Sequence, residues 1–94
     1  MPTVVHGDFE WDDHKAEGNA AKHGVTFEEA ALALIDPLSL DFDDLVEQDN
    51  LITLASSPTG RILYVVSTVR GERIRLISAR LATLTERRRY EEAD

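Results

Sequence analysis

The chain has 94 residues, no cysteine and a formal net charge of −8. A chain of this length fits one domain with one modest core, and the lack of cysteine excludes a disulfide framework and a thiolate zinc site. The first seven residues lack the basic and apolar segments of a signal peptide, and no stretch approaches the roughly 18 apolar residues of a membrane span. We therefore expect a single cytoplasmic domain over residues 1–94, with no membrane association.

The charges are distributed unevenly along the chain. Residues 1–60 carry thirteen carboxylates and two lysines, a balance of −11, whereas residues 61–94 carry eight arginines and five carboxylates, a balance of +3. Because the overall field of an acidic protein repels phosphate, any anion-binding site must depend on local cations. We expect such a site in the arginine-rich final third.

The first predicted elements are a short strand and a helix. Phe9–Trp11 alternates apolar and polar side chains, as a half-buried strand does. Asp12-Asp13 can cap the helix that follows, and we expect this helix to end near His23 because Gly24 favours the left-handed conformation of a helix stop.

A second helix and a run of strands follow. Thr26 and Glu29 form a capping box, in which each side chain bonds to the backbone amide of the other residue, and the helix continues to about Ile35. The later strands have alternating or β-branched patterns and are expected at Leu38–Phe42, Leu51–Ala55, Ile62–Val69 and Arg73–Ala79. The last two strands are expected to join through a two-residue turn at Arg70-Gly71.

A second capping box, Thr83 to Glu86, opens a short terminal helix. Together the elements predict an α+β fold with an antiparallel sheet of about four strands, two N-terminal helices and a short C-terminal helix.

The predicted hairpin turn determines which residues face each other. It pairs Val66 with Arg75 and Arg61 with Arg80, and it places Arg73 and Arg75 on the face away from the core. Planar guanidinium groups suit bidentate phosphate contacts, so Arg73, Arg75 and Arg80 are candidate phosphate ligands. The alternative is that these arginines pair with some of the eighteen carboxylates, as surface charges commonly do, and only hold the fold together.

The first helix carries a second candidate cluster. Lys15, Asn19 and Lys22 share one helical face, which is either a simple exposed stripe or a second basic edge of the same cleft. His23 stands at the helix end, where the macrodipole favours a cation, and is either a helix terminus or a general base. The three histidines lack metal-ligand spacing, and we expect no metal ion and no other cofactor.

Several strings of the sequence resemble the BrnT toxin family. They are Phe9–Asp12, Lys15-Ala16, Asn19, Lys22–Ala30, Asp36-Pro37, Arg70-Gly71, Ile74–Arg80, Ala82-Thr83, Glu86–Arg88 and Tyr90. The similarity runs from about Phe9 to Glu92, and its most specific parts are His23-Gly24 and Ser78–Arg80.

The resemblance implies a RelE-like fold and a ribonuclease toxin of a bacterial type II toxin-antitoxin system, one that inhibits translation. It also implies a BrnA-like antitoxin with a ribbon-helix-helix DNA-binding part, which neutralises the toxin, represses the shared operon and assembles with the toxin in a paired hetero-oligomer.

Metal-free cleavage by the RNA 2′-hydroxyl needs a proton acceptor, stabilisation of the phosphorane and protonation of the leaving oxygen. Under the resemblance, Arg75 and Arg80 are the candidates for charge stabilisation, with Glu10 or His23 as proton-transfer groups. The candidate RNA contacts are Lys15, Asn19, Lys22, Arg61 and Arg73. The candidate antitoxin contacts are Arg87, Arg88 and Tyr90.

The chain also departs from the pattern expected of this family. Asp13 stands in place of a proline, Glu47–Asn50 lacks an arginine, and Ser67 stands in place of an aromatic residue or a histidine. Two possible RNA contacts are thereby missing. An alternative function is therefore a catalytically weak or inactive binding module that acts through antitoxin binding and operon autoregulation.

Overall fold

A computed structural model describes residues 2–93 of the chain. The elements, in chain order, are β1 (Thr3–His6), β2 (Phe9–Asp12), α1 (Asp13–His23), α2 (Phe27–Ala33), β3 (Leu40–Asp43), β4 (Asn50–Ser56), β5 (Ile62–Arg70), β6 (Arg73–Leu81) and α3 (Leu84–Glu92). None of the helices in the described part of the chain has the length and apolar character needed to cross a membrane.

The strands form one sheet in the order β1-β2-β6-β5-β4-β3. Neighbouring strands are antiparallel except β2 and β6, which run parallel and pair Glu10 with Arg75. The α+β class is confirmed, but the expectation of an antiparallel sheet of about four strands is wrong in strand number and at this pair. The two helices α1 and α2 also follow two strands, where the sequence predicts one. The β2–β6 pair is parallel because the chain passes through two helices and three strands between them, and a crossover of this kind permits parallel pairing.

The edge strand β1 has no counterpart among the predicted elements. Most of its side chains are exposed, so it lacks the alternation that marks a half-buried strand. A local signal is nevertheless present, because the β-branched pair Val4-Val5 precedes the turn at Gly7-Asp8. This turn pairs His6 with Phe9 and folds β1 back along β2.

The predicted helix caps are present with one exception. Asp12 accepts a hydrogen bond from the Lys15 amide, Gly24 adopts φ 68°, and the capping box that opens α3 is complete. Thr26 accepts from the Glu29 amide at 3.1 Å. The Glu29 carboxylate, however, bonds to Arg61 and so does not complete the predicted box. Helix α2 ends at residue 33, two residues earlier than expected.

The helices α1 and α2 cover one face of the sheet and enclose the core. Trp11 meets Phe27 edge-on at 6.0 Å between ring centroids. The fully buried side chains around them are mainly small or aliphatic, and they include Val25, Ala30, Ala55, Leu63, Val65, Leu76 and Ala79. We call this side of the sheet the covered face and the other side the open face. Helix α3 lies on the open face, where the Arg89 guanidinium stacks 4.1 Å over the Phe42 ring.

The β5–β6 hairpin turns at Gly71-Glu72, one residue later than predicted. Gly71 has φ 63°, and glycine at the first loop position is typical of a two-residue hairpin turn. Arg70 therefore pairs with Arg73, and the pairing passes over Ile77 at a register shift further along. As a result Thr68, and not Val66, lies opposite Arg75, while Tyr64, and not Arg61, lies opposite Arg80.

Candidate functional site

The open face carries the sheet arginines. Side chains alternate between the faces of a strand, and Trp11 and Ala79, the chain neighbours of Glu10 and Arg80, are buried in the core under α1 and α2. Glu10 and Arg80 therefore lie on the open face. Their ladder partners Arg75 and Tyr64 share that face with them.

Glu10 and Arg75 form an ion pair on this face. The parallel β2–β6 ladder sets them opposite each other, and Arg75 Nη1 donates to Glu10 Oε2 at 2.5 Å. The two side chains retain only 19% and 11% exposure for Arg75 and Glu10 respectively. Within residues 2–93 the structure gives Arg75 no other hydrogen-bond partner, so most of its guanidinium donors remain available. A carboxylate and a guanidinium in contact supply a proton acceptor beside a charge stabiliser.

Arg80 is held by residues of α3 and β5. Arg80 Nη1 and Nη2 donate to the two carboxylate oxygens of Glu86 at 2.8 and 3.0 Å, and the guanidinium stacks 3.8 Å over the ring of Tyr64. The bonds between Arg80 and Glu86 raise the pKa of Arg80 and lower the pKa of Glu86. Glu86 also accepts from the Thr83 amide, so the start of α3 fixes the position of the arginine.

Arg75 and Arg80 occupy separate positions on the open face. They are five positions apart in β6, which corresponds to roughly 16 Å along a strand. Nearer the hairpin turn, Arg70 and Arg73 are exposed and lie opposite each other. The β5–β6 hairpin thus presents a row of four arginines, which we call the arginine row: Arg70, Arg73, Arg75 and Arg80. Arg75 and Arg80 would contact different points of a ligand bound along this row.

Arg61 lies on the other side of the molecule. Its Nε and Nη2 bond to the two carboxylate oxygens of Glu29 at 2.9 and 2.5 Å, and Nη2 also donates to the Gly24 carbonyl at 3.0 Å. These bonds lower the pKa of Glu29 and raise the pKa of Arg61. Arg61 therefore ties the α1–α2 connection to the start of β5. The prediction that it lies opposite Arg80 is wrong because of the shifted register.

Asn19 is buried between α1 and β6. Its Nδ2 donates to the carbonyls of Val25 and Ala79 at 2.9 and 2.8 Å, and its Oδ1 accepts from the Ala79 amide at 3.0 Å. With 8% exposure, Asn19 is not part of an exposed stripe. Through these bonds Asn19 anchors α1 to the covered face of the sheet.

Lys15 and Lys22 are exposed on α1, and α1 packs on the covered face. The sheet therefore separates them from Arg75 and Arg80, and the second basic edge considered for the same cleft does not form. His23, half-buried at the end of α1, lies on the covered side as well. Of the two candidate proton-transfer groups, Glu10 is the one that contacts a sheet arginine.

The three candidate antitoxin contacts on α3 differ in exposure. Arg87 and Arg88 are exposed, whereas Tyr90 is 8% exposed and donates its hydroxyl to the Asp36 carboxylate. Asp36 also accepts from the Ser56 amide at 2.9 Å. Burial raises the pKa of Asp36, but the bonds from Tyr90 and from backbone amides outweigh this effect and lower it. Tyr90 therefore anchors α3 to the segment after α2.

Two residues of the open face are absent from the predicted site. Tyr64 alternates along β5 with the buried Leu63 and Val65, so its face follows from the sequence. Its position opposite Arg80 requires the true register. Glu86 is predicted as a helix-capping residue, and its second role depends on the chain bend between β6 and α3. Across residues 2–93, no three His, Asp or Glu side chains come together as potential metal ligands.

Comparisons with known proteins identify the family of the chain. The family model described as the ribonuclease toxin BrnT of type II toxin-antitoxin systems matches residues 11–86. The crystal structure of the Brucella abortus ribonuclease toxin BrnT is similar, with 26% identity and a TM-score of 0.64 over 78% of this chain and 92% of that chain. No curated protein matches the chain. Since the family model spans most of the sequence, the chain belongs to the BrnT family of ribonuclease toxins of type II toxin-antitoxin systems.

Proposed function

We propose that the chain is a cytoplasmic endoribonuclease that cleaves RNA without a metal ion and thereby inhibits translation. A BrnA-like antitoxin with a ribbon-helix-helix DNA-binding part neutralises it in a paired hetero-oligomer. The observation that carries this proposal is the ion pair of Glu10 and Arg75 on the open face, within a row of arginines.

In the proposed reaction the Glu10 carboxylate takes the proton of the 2′-hydroxyl, and the 2′-oxygen attacks the neighbouring phosphorus. The bond from phosphorus to the 5′-oxygen breaks, which leaves a 2′,3′-cyclic phosphate on one product. The departing 5′-oxygen takes its proton from water, which reaches the open face.

Arg75 stabilises the negative charge that develops on the phosphorane oxygens. Its contact with Glu10 couples the two roles. Once Glu10 accepts a proton, it loses the negative charge that holds Arg75, and the guanidinium is released toward the phosphorane at the moment when charge develops there.

Arg73 and Arg80 hold the RNA backbone on either side of this centre. Arg73 is exposed, and Arg80 is fixed in place by Glu86 and Tyr64, so a bound phosphate finds a guanidinium that is already positioned. Binding through such contacts weakens as salt rises.

The non-catalytic binding module is the second candidate. It is favoured by the pairing of Arg80, whose two terminal nitrogens are both bonded to Glu86, and by the acidic composition of the chain. In this case the arginine row would bind the antitoxin, and the chain would act through that complex in operon autoregulation.

Incubation of the purified chain with a single-stranded RNA at low salt tests the proposal. In EDTA we expect cleavage that leaves 2′,3′-cyclic phosphate and 5′-hydroxyl ends and that stops when the antitoxin is added. A requirement for Mg²⁺ would contradict the metal-free reaction. Tight antitoxin binding without any RNA cleavage would establish the binding module instead.

A further inference from the structure

A second surface on the open face differs in chemistry from the arginine row. It is a groove of about 610 Å³ between the β3 edge of the sheet and the start of α3. Its lining is mainly apolar and includes Phe42, Leu45, Ile52, Leu54 and Tyr64, with Glu86 and Arg89 at the α3 side.

The β3–β4 loop leaves two aliphatic side chains in solvent beside this groove. Leu45 is 91% exposed and Val46 is 87% exposed. The loop is ordered by Asp44, whose Oδ1 accepts from the amides of Val46 and Glu47 at 3.0 and 3.1 Å. Apolar side chains held outward next to an apolar groove indicate a surface that a partner covers.

The charge on the β3 side of the groove disfavours RNA as that partner. Residues 41–49 contain five carboxylates and neither lysine nor arginine. This segment repels phosphate and attracts cations. The aromatic rings are also unsuited to stacking nucleobases, because guanidinium groups cover a face of each ring, Arg89 on Phe42 and Arg80 on Tyr64.

We propose that this groove docks a basic, amphipathic segment of the antitoxin. Aliphatic side chains of that segment fill the groove and cover Leu45 and Val46, while its lysines or arginines meet the carboxylates of residues 41–49. The inference rests on the proposed function, since it takes the occupant to be the antitoxin.

The position of the groove explains how such a segment would neutralise the chain. Glu86 and Tyr64 line the groove and also hold Arg80. A segment docked there lies against the guanidinium of Arg80 and blocks the path of RNA along the arginine row. Neutralisation then occurs by occlusion, with no change at Glu10 or Arg75.

A double variant, Leu45→Ser with Val46→Ser, tests the docking site. The probe is the purified product of the open reading frame beside the toxin gene, with binding measured by calorimetry. We expect at least tenfold weaker binding, unchanged RNA cleavage in the absence of this product, and escape from inhibition at concentrations that silence the wild type. The matched control is Val69→Ser, since Val69 is 76% exposed at the far hairpin, and it should change affinity less than twofold.

Thiol protection gives a second readout that does not depend on a loss of affinity. The chain contains no cysteine, so Leu45→Cys and Val69→Cys each introduce a single thiol. We expect the antitoxin to slow maleimide labelling at position 45 at least tenfold and to leave labelling at position 69 unchanged.

Affinity unchanged in the double variant, or equal labelling of Leu45→Cys with and without the antitoxin, would overturn the docking site. Protection of Leu45→Cys by RNA alone would overturn it as well, and so would a neighbouring gene product that does not bind. Failure of the proposed function is distinguishable, because it appears as a lack of RNA cleavage by the free wild-type chain, whatever the binding data show.

Discussion

Two glutamate–arginine pairs lie on opposite sides of the same sheet. On the covered face Arg61 donates three hydrogen bonds, two to the Glu29 carboxylate and one to the Gly24 carbonyl, and the pair connects β5 to the helices. On the open face Arg75 makes a single bond to Glu10. Arg75 therefore has more guanidinium donors available for a ligand than Arg61 has. The face of the sheet, more than the presence of an arginine, therefore decides which charges can meet RNA.

The largest expected effect follows from Arg75→Ala. It removes the proposed charge stabiliser, and a loss of this kind lowers the cleavage rate by about 100-fold or more. It also leaves the buried Glu10 carboxylate unpaired, which costs about 2 kcal/mol of stability. Single-turnover cleavage at a temperature where the variant is folded separates the two effects.

Arg61→Ala is the matched control for that experiment. It should lower the melting temperature and leave the cleavage rate of the folded protein within about twofold of wild type. Equal losses of cleavage rate in Arg75→Ala and Arg61→Ala would contradict the assignment of cleavage to the open face.

Asn19→Ala should have the largest effect on stability of the covered-face variants. It leaves the carbonyls of Val25 and Ala79 and the amide of Ala79 without their buried partner, which costs about 2–4 kcal/mol. Urea unfolding measures the loss. Wild-type stability combined with weaker RNA binding would instead assign Asn19 to the RNA surface.

The caps of α1 and the complete box at Thr83 follow from the sequence because a cap depends on residues within one turn of each other. The sequence also predicts correctly that Arg75 faces away from the core, but it places Val66 opposite Arg75 instead of Thr68. The predicted register near the turn is in error by two residues, and a shift of two preserves the faces of a strand.

Features that depend on distant pairing are not predicted. The register shift near Ile77 adds one more residue to the error, and Arg61 consequently falls on the opposite face from Arg80. The contact between Glu10 and Arg75 joins residues 65 positions apart through a parallel pair of strands. No local pattern specifies that pairing, so the sequence names both residues as candidates without bringing them together.

A smaller effect is expected from Arg80→Ala. Because Arg80 holds the RNA backbone at a distance from the cleavage centre, the variant should raise KM about tenfold, change kcat little and reduce the dependence of log binding constant on log salt by about one. The control is Arg87→Ala, which removes an exposed arginine of α3 and should leave KM within about twofold of wild type. A loss confined to kcat would place Arg80 in the chemical step.

Lowered carboxyl pKa values make the fold sensitive to acid. The pKa values of Glu29, Glu86 and Asp36 lie below their ordinary values of 4.5, 4.5 and 3.8. Their contribution to stability is therefore fully present above about pH 5 and is lost as pH falls through the lowered values. Thermal melts should be flat from pH 5 to 7 and fall below about pH 4.5, with a shallower fall in Glu29→Gln. A melting temperature that holds steady to pH 3 would contradict the assigned pairs.

A comparison of Glu10→Gln with Glu29→Gln in one RNA-cleavage assay tests most directly on which face the reaction takes place. Each substitution removes the charge of a carboxylate paired with arginine while keeping its size, and the two carboxylates lie on opposite faces of the sheet. We expect Glu10→Gln to abolish measurable cleavage and Glu29→Gln to cleave at the wild-type rate when folded. Wild-type cleavage by Glu10→Gln would contradict the placement of the reaction on the open face.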